Sequence, residues 1–441
     1  MKNKGRGFTL VELLAVIVIL AVILIIAMPK ISDVIKNSKE ASLETTAKLI
    51  ASQAEKKYTE NQVLDGSSTI KCNDVAKISE ADYESCNITF DDKGNVKVTI
   101  VGKGKFEGLS VINGTKDSAT ASEVKMPEYG KGTTYIKALY DSDILRKANG
   151  LKKDNTSDAN IRYEGANPNN YVSFNDELWR IIGVFGDNIK LVRSEQLGKL
   201  SWDSSDSSVN NGWGVNEWSQ ADLKEYLNTM YYDGTSVICY FGNSNYTTTC
   251  PTGSLNTTAK TMINIYTWNT GAINADTTIL NKETAALNTV PFYNAERGSV
   301  NGKICTSGNS CNDTVTRTTT WQGYVALPYV TDWAYASSET ACATNINDGY
   351  VAAKANANYD YMTCKKNNWM HHGSTMNEGM WMLSPDAFSN VAYSMWFVVG
   401  VGGVATSSAF IAHSVFPTVY LNSDVKITSG SGTSSDPYIL K

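Results

Sequence analysis

From Phe8 to Met28 the chain is apolar almost without a break, interrupted only by Thr9 and one carboxylate, Glu12. A helix rising about 1.5 Å per residue would carry that run about 30 Å, the thickness of a bilayer's hydrocarbon core, so the pattern predicts a membrane segment. Beyond Lys30 the pattern becomes amphipathic. Leu43, Ala47, Ile50 and Ala54 recur at three- and four-residue steps among Lys, Glu and Gln as far as about Tyr58, which predicts that the helix continues with one buried face. Residues 86–112 alternate in strand fashion, with Ile88-Thr89-Phe90, a turn at Asp91–Asn95, then Val96, Val98 and Ile100. Residues 115–160 are polar, with a short helix near Tyr135–Leu145, and read as a connector. Farther on, apolar runs such as Leu178–Val184 and Ile189–Val192 stand between Gly, Asn, Asp and Ser, the mark of strands joined by long loops. One helix is expected at Ser219–Met230, capped by Ser219, with Leu223, Tyr226 and Leu227 on one face. Together these elements predict an α+β chain: a long N-terminal helix with a small antiparallel sheet, then a larger β-rich domain.

Composition sharpens the division. At 441 residues the chain exceeds what one core organises, and 42% hydrophobic with 19% charged residues is the composition of folded protein. A formal charge of −5 gives no footing for nucleic acid as a partner. All ten tryptophans lie at or beyond Trp179. The eight cysteines fall in neighbouring pairs, Cys72 and Cys86, Cys239 and Cys250, Cys305 and Cys311, Cys342 and Cys364, which suits four local disulfides in an oxidising compartment. The rival is a zinc site, but no Cys-x-x-Cys occurs and His371, His372 and His413 have poor ligand spacing.

The N-terminus is the most specific part. Residues 1–7 are short, basic and free of acid, and the apolar run ends in Ala27, Met28 and Pro29, with neither a small-residue cleavage site nor a lipoprotein cysteine. An ordinary anchor has no use for Glu12, since a carboxylate in lipid costs about 3 kcal/mol unless it finds a partner. The stretch Gly7-Phe8-Thr9-Leu10-Val11-Glu12-Leu13-Leu14 resembles the cleavage and methylation site of type IV prepilins and pseudopilins. The resemblance implies that a prepilin peptidase removes residues 1–7, cutting after Gly7, and methylates Phe8. It further implies that Glu12 attracts the amino terminus of a neighbouring subunit, that Pro29 bends the helix, and that residues 8–29 form the membrane and assembly helix of a minimal pilin domain spanning 30–114. The partners implied are other pilin subunits, the peptidase and the membrane; the location is the cell membrane and then the pilus or cell surface.

Residues 161–441 resemble, in scattered patches, the C-type-lectin-like fold of the formylglycine-generating-enzyme type. The patches are the pair Leu178–Val184 and Ile189–Val192, the helix after Trp218, Gly379–Pro385 and Pro417–Leu421. The enzymes of that branch use a late cysteine pair that binds copper, yet the last cysteine here is Cys364, so the catalytic pattern does not transfer. Sugar-binding calcium motifs are also missing, and no cofactor, metal or catalytic residue is expected. His371, His372, Glu378 and Asp386 read as surface loop residues, and the acid-rich loop Asp203–Glu217 reads as solvated, lacking the regular oxygen spacing of a calcium loop. The stretch Phe388–Phe416 mixes aromatic and small polar residues as recognition surfaces do, which nominates Phe388, Asn390, Tyr393, Phe410, His413 and Phe416 for binding a protein or glycan on another cell or phage. Its residue types also resemble those found where retroelements diversify lectin-like binding sites. The expected function is a non-enzymatic pilin-like subunit displaying an adhesin-like domain. The alternative is a pseudopilin or DNA-uptake or secretion component whose large domain contacts other machinery.

Overall fold

The computed structural model describes residues 10–64, 70–79, 81–90, 95–204, 213–242, 246–247, 249–273, 280–281, 286–297, 304–305, 317–339, 345–347, 365–373, 379–386, 393–400 and 402–441. For residues 11–13, 15–32, 61–64, 246–247, 280–281, 286–288, 304–305 and 345–347 it describes the backbone alone. The chain divides into two compact units, Met1–Lys125 and Met126–Lys441.

In the first unit one helix, α1, runs from Leu10 to Leu64 and passes through Pro29. The amphipathic stripe is where the sequence puts it: Leu43, Ala47, Ile50, Ala51 and Ala54 have no exposed surface. They pack on Val96, Val98, Ile100, Leu109 and Val111 from an antiparallel sheet. Its four strands, Tyr83–Phe90, Val96–Gly102, Leu109–Gly114 and Ala121–Glu123, lie side by side in chain order. The alanines let helix and sheet approach closely, while each buried Val, Leu or Ile contributes about 1.5–3 kcal/mol. Cys72 and Cys86 are bridged, tying a short helical turn at Cys72–Val75 to the first strand. The last strand is fixed to α1 by a polar contact, the Ala121 amide donating to Glu44 Oε1 at 2.9 Å.

The connector expected at 115–160 is not a separate segment. Residues 121–123 complete the first sheet, and Gly130–Lys131 begins the second unit, followed by helices Gly132–Asp141 and Asp143–Asn149. The short helix expected near Tyr135–Leu145 is this pair, burying one face each through Tyr135, Ile136, Leu139 and Leu145.

The main sheet of the second unit is built on the expected strand pair, Glu177–Phe185 against Asn188–Arg193. Thr418–Tyr420 and then Val325–Ala326 extend it on one side. On the other side come Tyr171–Phe174, the parallel strand Tyr438–Leu440, Lys426–Ser429 and Gly130–Lys131. A second sheet of five strands runs Lys199–Ser201, Ala412–Ser414, Gly379–Pro385, Ser394–Val399, Val404–Ser408. Trp179, Trp202, Trp218, Trp268 and Trp381 are wholly buried, supplying the volume that an irregular β-rich interior needs. The helix expected at Ser219–Met230 differs in detail. Trp218–Gln220 is a 3-10 turn, Asp222–Glu225 is α-helical and Tyr226–Tyr232 is a π-helix. Ser219 is not its cap: its hydroxyl donates to Glu217, and the Asp222 amide is taken instead by Asp203 Oδ1 at 3.1 Å. Cys239 and Cys250 are bridged; Cys311, Cys342 and Cys364 lie outside the described residues, and so do their expected pairings.

Candidate functional site

Trp213 is the most exposed of the ten tryptophans. Its flank Gly212-Trp213-Gly214 sits on the acid-rich loop, and it keeps 39% of its surface in solvent. Its ring lies 4.8 Å from that of Tyr393 and 5.1 Å from that of Phe410, the second edge-on. Tyr393 and Phe410 are anchored through hydrogen bonds to backbone carbonyls. The Ala409 amide donates to the Tyr393 carbonyl at 2.7 Å, and the Trp202 and Asp203 amides both donate to the Ala409 carbonyl. The Ser201 hydroxyl donates to the Phe410 carbonyl at 2.6 Å while accepting from the Gly242 amide at 2.8 Å, which brings the exposed Phe241 loop alongside. Gly214 adopts φ +80°, and a Cβ there would stand 2.1 Å from the Asp203 carbonyl, so only glycine allows Trp213 this turn. The loop is closed by the buried Asp203, whose Oδ2 accepts the Val215 amide at 2.7 Å. Burial and the Asp203 charge push the carboxyl of neighbouring Asp222 up to about 7.

The structure corrects the expected recognition face in part. Tyr393 and Phe410 are half-buried with an open side, but His413 and Phe416 are core residues at 7% and 3% exposure. His413 stacks on Phe397 at 4.4 Å, meets Trp381 edge-on and bonds Ser407 Oγ through Nε2; Phe416 is covered by His372 at 4.4 Å. The cause is strand alternation, because Ala412–Ser414 is an inner strand of the second sheet and turns its middle residue inward. Phe388 and Asn390 lie outside the described residues, as do Gly7, Phe8 and Glu378; of Glu12 and Pro29 the helical backbone alone is described. Nor is Asp386 a surface residue: it is buried and accepts from Ser394 Oγ at 2.9 Å. The ends of the loop expected to be solvated, Asp203, Asn216 and Glu217, are likewise buried. Among the described residues no group of three or more His, Cys, Asp or Glu side chains could hold a metal ion.

His371 and His372 lie in a loop, as the sequence suggested, but are half-buried there, whereas His413 is in the core. Burial pulls each of them down to about 4. A base depressed in the folded state is stabilised there in its neutral form, so this stability is complete above pH 6.5 and is lost as pH falls towards 4. His413→Gln is expected to remove one such dependence. Between pH 6.5 and 4 the wild type should lose about 3 kcal/mol more than the variant in urea unfolding followed by tryptophan fluorescence. Parallel pH slopes for the two proteins would show His413 titrating normally.

A second concentration of charge lies in the core of the unit. Arg162 Nε pairs with Asp154 Oδ2 at 2.6 Å and its Nη1 with Asp332 Oδ1 at 2.9 Å, while Lys190 Nζ contacts Asp332 Oδ2. All four side chains are 0–2% exposed. Burial alone would raise the Asp332 carboxyl, but Lys190 and Arg162 overcome it and hold the group at about 2. For Lys190 burial wins over the attraction of Asp332 and lowers the amine to about 8. Glu296, buried and bonded to Thr331, is pushed by burial up to about 7. Sequence reading missed this cluster, since its partners Asp154, Arg162, Lys190 and Asp332 lie far apart along the chain. The signal available was that Lys190 interrupts an otherwise apolar central run, Ile189–Val192.

Residues 2–28 match the prokaryotic N-terminal methylation motif. This match supports a type IV pilin-like chain, and such a motif implies processing by a prepilin peptidase, assembly with other subunits, and a membrane-anchored precursor that moves to the surface. No curated protein and no solved structure matches the chain. Among the described residues no helix is long and apolar enough to cross a membrane.

Proposed function

We propose that this is a non-enzymatic type IV pilin-like subunit, cut after Gly7, whose second unit is a C-type-lectin-like domain that binds a protein or glycan on another cell or phage. The observation that carries the binding role is the aromatic trio Trp213, Tyr393 and Phe410, in which Tyr393 and Phe410 are anchored through their carbonyls beside the edge strand of the five-stranded sheet and Trp213 packs on both. Rigid aromatic side chains offer large contact area at small entropic cost, and such residues dominate the energetics of recognition surfaces. The lectin-like reading is supported by strands at Glu177–Phe185, Asn188–Arg193, Gly379–Pro385 and Thr418–Tyr420, and by helical turns following Trp218.

Replacing Trp213, Tyr393 and Phe410 together by alanine is expected to weaken adhesion at least thirtyfold, about 2 kcal/mol or more, while fibres still assemble. Fibre-bearing cells would be scored for attachment, with the melting temperature of the variant as a control on folding. Undiminished attachment by a folded triple variant would move the binding face elsewhere.

A further inference from the structure

The sealed contact between Lys190 and Asp332 has the makings of a covalent bond. Lys190 sits in the middle of the main sheet, its backbone paired with Gly183 on one side and Tyr420 on the other, so its side chain has a fixed origin. Its Nζ is enclosed by four rings: Tyr329 at 4.4 Å, Tyr420 at 5.2 Å, Phe185 at 5.4 Å and Trp268 at 5.5 Å. Asp332 comes from the short helix Val330–Tyr335 and is fixed just as tightly, by Arg162 on Oδ1 and by the Tyr329 amide on Oδ2. Neither side chain reaches water.

We propose that Lys190 and Asp332 condense after folding into an intramolecular amide that staples the central strand to the helix Val330–Tyr335. The Nζ–Cγ bond forms and the Cγ–Oδ2 bond breaks; two of the ammonium protons leave with Oδ2 as water, and Oδ1 remains as the amide oxygen. No oxidant, reductant or co-reactant is needed. In water the same ions stay apart because hydration favours them. Here that hydration is gone, and a dry ion pair is costly enough that uncharged replacements often match or exceed it in stability. Holding the reacting groups in contact adds the advantage of an intramolecular reaction, equivalent to about 10⁵–10⁸ M of one partner. The cluster also stays balanced. Condensation removes one cation and one anion together, so the net charge of the cluster does not change, and Arg162 still faces Asp154 at 2.6 Å.

Three features assist the chemistry. Burial weakens the hold of Lys190 on its proton, which exposes the nucleophilic lone pair. The Arg162 guanidinium lies where negative charge gathers on Oδ1 as the carbon becomes tetrahedral. Glu296 is the neighbouring buried carboxyl: it accepts from the amide and hydroxyl of Thr331, the residue before Asp332, and pairs with Arg297 at 3.1 Å, and burial strengthens its hold on a proton, which suits it to relay one.

The test is made on the mature full-length chain purified in detergent, reduced, denatured and digested with trypsin. Mass spectrometry should find the peptide carrying Lys190 joined to that carrying Asp332, lighter than their sum by one water, with no cleavage after Lys190. Two separate linear peptides and cleavage after Lys190 would overturn the proposal, whatever any variant does. For the proton carrier, Glu296→Gln with its near-ultraviolet circular dichroism intact should show at least a tenfold smaller linked fraction. Linkage as complete as in the wild type would remove that role from Glu296.

Discussion

Gly7→Asp is expected to leave the whole chain in the membrane as an uncut precursor beginning at Met1, with no fibres. The wild type is expected to yield a chain beginning at methylated Phe8. The reason lies in the reach of the enzyme: a peptidase working at the membrane face needs a small residue where the basic leader meets the apolar helix, and Gly7 is that residue. Glu12→Ala separates processing from assembly. Its chain should be cut normally, because the cleavage junction is intact, yet enter fibres poorly. An amino terminus and a carboxylate brought together in an apolar bundle relieve each other's burial, and truncating one partner of such a pair costs about 2–5 kcal/mol per contact. Sequencing the amino terminus of sheared surface material and counting fibres by electron microscopy reads both outcomes. An intact Met1 on wild-type fibres would remove the pilin reading itself.

The second large effect is expected in the core. Arg162→Met should destabilise the second unit by about 3–5 kcal/mol, because it strands Asp154 in a dry interior without its countercharge. The Asp154 carboxylate keeps its bonds from Thr156 and Asn160. Those bonds disperse its charge but do not cancel it. The arginine also lies 4.7 Å from the ring of Phe185 and 4.8 Å from that of Tyr335, contacts that an uncharged side chain forgoes. A fall in the urea midpoint with an unchanged slope would report this loss. A midpoint within experimental error of the wild type would mean that the unit tolerates an unpaired Asp154.

The recognition face illustrates how far residue types can be trusted. Phe388–Phe416 was nominated on composition, and composition does not say which side of a strand a residue takes. Tyr393 and Phe410 stand at turns and stay open, whereas His413 and Phe416 fall inside and fill the core. Trp213 went unnoticed because it lies far away in sequence, on a loop read only for its acids. The flanking glycines hinted that its backbone was shaped for a purpose, but they gave no partner for the ring.

By itself the sequence determined what depends on local pattern. The long helix, the stripe Leu43, Ala47, Ile50 and Ala54, the pair of strands around residues 178–192, the bridges Cys72–Cys86 and Cys239–Cys250, and the N-terminal motif all rest on residues within a few turns or strand steps of one another. Only the tertiary structure decided what depends on chain segments far apart. Asp332 meets Lys190 across 142 residues, and Trp213 meets Phe410 across a longer stretch still. The physical reason is that burial sets the meaning of a side chain. A lysine on a strand is a solvated charge until four rings close over it, and a histidine among small polar residues is a surface group until the sheet turns it inward.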